Sequence, residues 1–243
     1  MTTFDTTKTE LRKLLDEIAD GKIQLPDFQR GWVWDDDHIR SLLVSVARSF
    51  PIGAVMLLET GGETRFQVRP VESVNLSPSA RPERLILDGQ QRLTSLTQVL
   101  KTPEPVVTRD EKNRQIRRHY YFDIERAING DGSLEEAIIA VDEKRMIRTN
   151  FNRDVLLDLS SPEKEYESFH FPCTQILNSD AWEQGLIARF PHRFTRYMEF
   201  RQRIVGAFRS YLVISLRDAG KRTARLWRCA RSSVVRDRFA RIP

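Results

Sequence analysis

Between Arg84 and Lys101 the chain changes character at a single step, and that step constrains the fold more than any other stretch. Arg84-Leu85-Ile86-Leu87 is a short apolar run of strand type. Asp88-Gly89 is a turn signal. Gln90-Gln91-Arg92 then opens a segment whose inner face, Leu93, Leu96, Thr97 and Leu100, recurs at helical spacing. A strand that feeds directly into a helix leaves the first backbone N–H groups of that helix beside the strand end, where they form a ready anion site. Gly89 lets a ligand approach the backbone closely. Gln90 and Gln91 each donate and accept hydrogen bonds, and Arg92 carries a planar fork suited to phosphate oxygens. Asp88, at the strand end, is placed to hold a metal ion or orient a water. The same residues also read as an ordinary Asp-Gly turn, with Asp88 capping the helix and Arg92 on a solvated face. The residues alone leave both readings open. No Walker A loop occurs.

Elsewhere the pattern predicts an α+β chain. A helix is expected after a capping box formed by Thr7 and Glu10, with Leu11, Leu14, Leu15, Ile18 and Ala19 inward and Gly21 as its stop. Residues 23–26 are extended. Asp35, Asp36 and Asp37 suit the positive end of a second helix with Ile39, Leu42, Leu43, Val46 and Ala47 buried, which Pro51 ends. Gly53–Glu59 reads as a buried strand, and residues 65–68 as the strand returning from it after Gly61-Gly62. Beyond residue 102 the signals weaken. Strands are expected at 120–124, 155–159 and 211–216, an extended stretch at 169–176, and helices at 180–189 and 192–210.

A second polar segment, Asp27-Phe28-Gln29-Arg30 followed by Trp32 and Trp34, lies on a loop between helices. Gln29 and Arg30 either close over the strand–helix pocket or belong to the loop's own packing. The tryptophans are read as anchors of the loop on the core. The four histidines are scattered without metal-ligand spacing. Asp110-Glu111-Lys112 and Asp142-Glu143-Lys144 have the carboxylate-x-lysine form of some nucleases, a triplet that arises easily in charged loops.

The net charge of +5 invites a nucleic-acid reading, but its location matters more. Residues 218–243 hold eight basic residues against Asp218 and Asp237, a net of +6, so the other 217 residues sum to −1. The basic residues there have irregular spacing. The segment is either a basic arm or a product of out-of-frame translation, and the absence of periodicity favours the second. Two cysteines are too few for a disulfide framework or a Cys-based zinc site. With no apolar run near ~20 residues and no apolar leader, a cytoplasmic setting is expected.

Leu25-Pro26-Asp27-Phe28-Gln29-Arg30, Trp34, Pro51-Ile52-Gly53 and Leu87-Asp88-Gly89-Gln90-Gln91-Arg92-Leu93-Thr94 follow one another in that order. This series resembles the N-terminal domain of GmrSD-type modification-dependent restriction proteins. It also resembles the related domain of phosphorothioation- and BREX-associated defence nucleases, in the ParB/sulfiredoxin superfamily. The resemblance implies a small mixed sheet with flanking helices over residues 4–105, and a mixed α/β extension of the same module over 106–217. It implies binding and hydrolysis of a nucleoside triphosphate, GTP or ATP, with Mg2+ or another divalent cation. Asp88, Gln91 and Arg92 would be catalytic, with Asp88 as metal contact. Gln29, Arg30, Gly89, Gln90 and Arg92 would bind nucleotide. The activity would license cleavage of modified or phage DNA by a partner nuclease domain, usually of HNH type. No HNH motif is present, and the Arg-rich tail stands where family members continue into a helical segment. A non-catalytic remnant that binds nucleotide or DNA is the alternative, and a ParB-like DNA-nicking nuclease the third reading.

Overall fold

The computed structural model describes residues 5–32, 34–61, 66–77, 80–129, 134–149 and 153–218. The basic tail from 219 onward, and with it Cys229, lies outside the described residues.

In chain order the elements are β1 (Asp5–Glu10), α1 (Leu11–Ala19), β2 (Ile23–Pro26), α2 (Asp36–Ala47), β3 (Val55–Glu59), β4 (Val68–Arg69), β5 (Arg84–Asp88) and α3 (Gln90–Lys101). The second half adds β6 (Val106–Arg109), β7 (Gln115–Asp123), α4 (Ile124–Asn129), β8 (Ile138–Val141), β9 (Met146–Thr149), β10 (Asp154–Asp158), α5 (Pro162–Ser168) and β11 (His170–Pro172). It ends with α6 (Asp180–Arg189), α7 (Phe194–Phe200), a π-helical stretch at Arg201–Val205, α8 (Gly206–Ser210) and β12 (Leu212–Asp218). The fold is α+β.

A six-stranded mixed sheet runs in the order β1-β12-β3-β5-β2-β4. The last strand therefore inserts between the first and the third. It pairs antiparallel with β1, from Asp5↔Arg217 to Glu10↔Leu212, and parallel with β3. The first hundred residues thus depend on a strand from the far end of the domain to complete their sheet. A second sheet, with β7 between β11 and β6 and with β8 also on β7, covers the other half. One buried cluster extends from Leu11 through Phe122 and Phe171 to Val213, so both halves share a core.

Two local readings are corrected. Residues 5–10 are β1, and Glu10 at the start of α1 makes no side-chain cap. Leu11 N–H instead donates to Tyr211 O at 2.8 Å. Alternating Thr residues accept an extended backbone readily once a partner edge is present, and that partner, β12, is some 200 residues away in sequence. The strand expected to return on β3 does not do so. Residues 62–65 lie outside the described set, and the paired residues Val68–Arg69 form β4 against Pro26 and Leu25 of β2. Both edges of β3 are already taken, by β12 and β5. By contrast α2 forms as read. Asp35 caps it by accepting from His38 N–H at 3.0 Å, and Ile39, Leu42, Leu43, Val46 and Ala47 are buried. It closes at Ala47, before Pro51.

Candidate functional site

The junction of β5 with α3 carries the motif. Gly89 is the N-cap residue of α3, at φ +87°, and no side chain caps that helix end. The left-handed backbone favours glycine. Space adds a second demand, since a Cβ on Gly89 would lie 3.0 Å from Val55 Cγ2. Asp88 does not cap; its side chain is 70% exposed and lies 3.5 Å from Arg92 Nη2. The first turn of α3 thus has no side-chain cap and an exposed carboxylate beside it.

Two loops close on this junction. The loop after β2 comes from one side. Gln29 Nε2 donates to Leu87 O at 2.9 Å, Gln90 Nε2 to Arg30 O at 2.7 Å, and Gln91 Nε2 to Gly31 O at 3.4 Å. The two motifs, some sixty residues apart in sequence, therefore meet side chain to backbone. Arg30 itself is exposed. Trp32 Nε1 donates to Ser95 Oγ at 3.0 Å, and both Trp32 and Trp34 pack on the core as anchors. Phe28 does not: it is 47% exposed, with its ring edge against Phe66.

The second loop, residues 50–54, comes from the other side and takes the fork of Arg92. Nη1 donates to Ile52 O, and Nη2 donates to Ala54 O at 3.0 Å. Gly53 sits between these two carbonyls at φ +87°, and a Cβ there would stand 2.5 Å from Arg92 Nη1. The Pro-Ile-Gly series and the motif arginine are parts of one clamp. Tyr211 secures the same loop from behind, its hydroxyl donating to Phe50 O at 2.6 Å and accepting from Ile52 N–H at 3.1 Å.

Sequence reading missed Tyr211, Arg69 and Glu72. Glu72 is a hub: Oε1 accepts from Trp32 N–H at 3.1 Å and from Arg69 Nη1 at 2.9 Å, and Oε2 from Thr94 Oγ1 at 3.4 Å. Arg69 Nη2 reaches the carbonyls of Gln29 and Arg30 at 3.4 and 3.3 Å. These residues lie in an irregular stretch with no period or motif to mark them.

The remaining sequence candidates have structural roles. Asp110 Oδ1 accepts from Lys112 and Arg114 N–H in the β6–β7 turn, and Arg114 holds its carboxyl below the usual range. Asp142 Oδ1 accepts from Lys144 and Met146 N–H after β8. The first triplet lies in the β6–β7 hairpin turn and the second in the turn that links β8 to β9. His38 pairs with Asp35 at an exposed helix start, and His170 Nδ1 contacts Ser168 O. Among the described residues no three His, Cys, Asp or Glu side chains gather as a metal site, and no helix is long and apolar enough to cross a membrane. A divalent cation at the junction would have the exposed Asp88 carboxylate to bind. That suits Mg2+, which keeps several waters and is commonly held by one or two carboxylates plus substrate phosphates.

An uncharacterized protein of Methanocaldococcus jannaschii is 28% identical over 198 residues, covering 77% of this chain. The chain spans about a third of that relative's length, 33%. Residues 11–216 match the family described as the GmrSD restriction endonuclease N-terminal domain. That match runs from the first residue of α1 into β12, almost the whole described fold, and the chain belongs to that family.

Proposed function

We propose that the β5–α3 junction binds and hydrolyses a nucleoside triphosphate, GTP or ATP, and that this step licenses cleavage of modified or foreign DNA by an associated nuclease. The observation that carries the reading is the meeting of the two polar motifs at the uncapped start of α3. There the Arg30 carbonyl accepts from Gln90, the Gln91 amide donates to the Gly31 carbonyl, and the Asp88 carboxylate is exposed. In this reading the first-turn N–H groups and Arg30 hold phosphate oxygens. Gln90 and Gln29 fix the loop that carries Arg30. Asp88 orients the attacking water or holds the divalent cation, whose chemistry would be neutralisation of phosphate charge. Arg92 acts chiefly through the 50–54 loop, because its fork already binds two carbonyls. The ParB/sulfiredoxin-like ancestry, the cytoplasmic setting and contact with DNA belong to the same proposal.

Phosphate release from GTP and ATP with magnesium tests it. Asp88→Asn, at an exposed position, should lower turnover on the order of 100-fold or more while leaving the melting temperature unchanged. Turnover equal to the unaltered chain would remove Asp88 from the mechanism. The engagement of Arg92 by backbone favours one second reading, a module that binds nucleotide without hydrolysing it. Retained nucleotide binding with no phosphate release in the unaltered chain would establish that version.

A further inference from the structure

The loop between β2 and α2 carries Gln29 and Arg30, and side chains from elsewhere hold its backbone. Arg30 O accepts from Gln90 Nε2 and from Arg69 Nη2, Gly31 O from Gln91 Nε2, and Trp34 O from Thr108 Oγ1 at 2.8 Å. Trp32 N–H donates to Glu72. Two members of this set, Arg69 and Glu72, belong to neither motif. Arg69 is the last residue of β4, and Glu72 follows three positions later.

These two close a ring around the loop. Arg69 Nη2 donates to the carbonyls of Gln29 and Arg30 at 3.4 and 3.3 Å, while Nη1 donates to Glu72 Oε1 at 2.9 Å. The same Glu72 oxygen takes Trp32 N–H at 3.1 Å, and Oε2 takes Thr94 Oγ1 of α3 at 3.4 Å. Gln90, four residues before Thr94 on α3, returns to Arg30 O at 2.7 Å. The loop is thus tied to α3 directly by Gln90 and Gln91, and indirectly through the Arg69–Glu72 pair. A planar guanidinium suits this task, because one nitrogen can serve carbonyls while the other serves a carboxylate. The two side chains are only 26% and 25% exposed, which strengthens their bonds relative to a fully solvated pair. Arg69 is also anchored at the root of the loop it reaches over. Its backbone pairs with Leu25 of β2, and Asp27 N–H donates to Gln67 O at 2.9 Å.

We propose that Arg69 and Glu72 are positioning residues of the nucleotide site: they set the Gln29–Arg30 loop against the start of α3, and so govern affinity rather than chemistry. Neither touches the ligand. The inference rests on the nucleotide reading of the junction.

With one link of the ring removed, the loop occupies its binding position in only part of the population, and apparent affinity falls by that fraction. Asp88 and the first turn of α3 do not depend on the ring, since they belong to the β5–α3 step itself. Loss of the pair should therefore raise KM and spare kcat, the pattern left when uniform binding is removed.

Steady-state phosphate release from GTP and ATP with magnesium by the full chain tests this, together with hydrogen exchange at the Trp32 amide. Arg69→Gln and Glu72→Ala should each raise KM on the order of tenfold, with kcat within about twofold of the unaltered chain. Glu72→Gln keeps an acceptor for Trp32 N–H but loses the charge that holds Arg69, so its KM should fall between. Combining Arg69→Gln with Glu72→Ala should do no more than the larger single change, because the pair acts as one link. Exchange at Trp32 should quicken in Glu72→Ala. Circular dichroism confirms folding, and if Glu72→Ala does not fold, Arg69→Gln and Glu72→Gln decide. If the chain binds nucleotide without turnover, the calorimetric Kd takes the place of KM. Unchanged KM in folded variants, a fall in kcat at constant KM, or full additivity in the double variant overturns the inference alone. Neither binding nor phosphate release by the unaltered chain overturns the nucleotide reading, and this inference with it.

Discussion

The junction and the surroundings of Glu165 are both polar, yet they are built in opposite ways. At the β5–α3 junction the conspicuous side chains are matched to carbonyls: Gln29 to Leu87, Gln90 to Arg30, Arg92 to Ile52 and Ala54. Away from the junction the buried groups are incompletely matched: Gln98 Oε1 and Arg118 Nε have no partner among the described residues, and burial raises the Glu165 carboxyl. The first region carries a motif that stands out in sequence, and the second carries none. A conspicuous arginine can therefore serve mainly to hold a loop in place. An inconspicuous set of residues, drawn from four elements, can hold the less stable electrostatics that perturbed sites are made of.

The contrast can be broken first at Arg92. Arg92→Ala strands two loop carbonyls and should cost about 3–4 kcal/mol in urea denaturation. Lysine should not restore the loss, because an ammonium cannot reproduce the fork. Full stability in Arg92→Ala would refute the clamp.

Glu165 should show itself through pH. The folded-state value of Glu165 lies above that of an unfolded glutamate, so the native chain binds the extra proton between the two. Its contribution is therefore most favourable below the unfolded value and is lost as pH rises through about 7. Relative to Glu165→Gln, the unaltered chain should lose on the order of 3 kcal/mol of stability between pH 4 and pH 8. Parallel pH profiles in denaturant titrations would show that Glu165 titrates normally.

Gly53→Ala should cost about 2 kcal/mol in thermal melting, from the positive φ and the approach to Arg92. Tyr211→Phe, which removes the hydrogen bonds to Phe50 O and Ile52 N–H, should cost about 1 kcal/mol. If it also lowers phosphate release at the junction, the 50–54 loop matters to the chemistry as well as to packing.

Legibility followed range. The turn at Gly89, the acidic start of α2 at Asp35–Asp37 and the buried faces of α1 and α2 were readable because each depends on residues within a few positions. The Thr7–Glu10 capping box was misread for want of long-range information: the segment is helix-compatible by pattern and becomes β1 when β12 arrives. β6, β8, β9 and α5 were not foreseen. The three strands are four-residue elements and the helix is seven residues long, too short for periodicity to separate from loop. Gln29 and Arg30 were placed beside the motif only by the order of motifs along the chain, and the structure brings them there through Gln90.

By itself the sequence determined the strand–turn–helix and the surfaces that its helices bury, since backbone preference and hydrophobic period act over one or two turns. The tertiary structure decided what Arg92 binds, that β12 completes the first sheet, and that Glu165 is buried between Tyr121 and Trp182. Those outcomes rest on partners far along the chain, 38 residues apart for Arg92 and Ala54 and 161 for Tyr211 and Phe50. Hydrogen-bond satisfaction and desolvation exist only once such distant groups have been brought together.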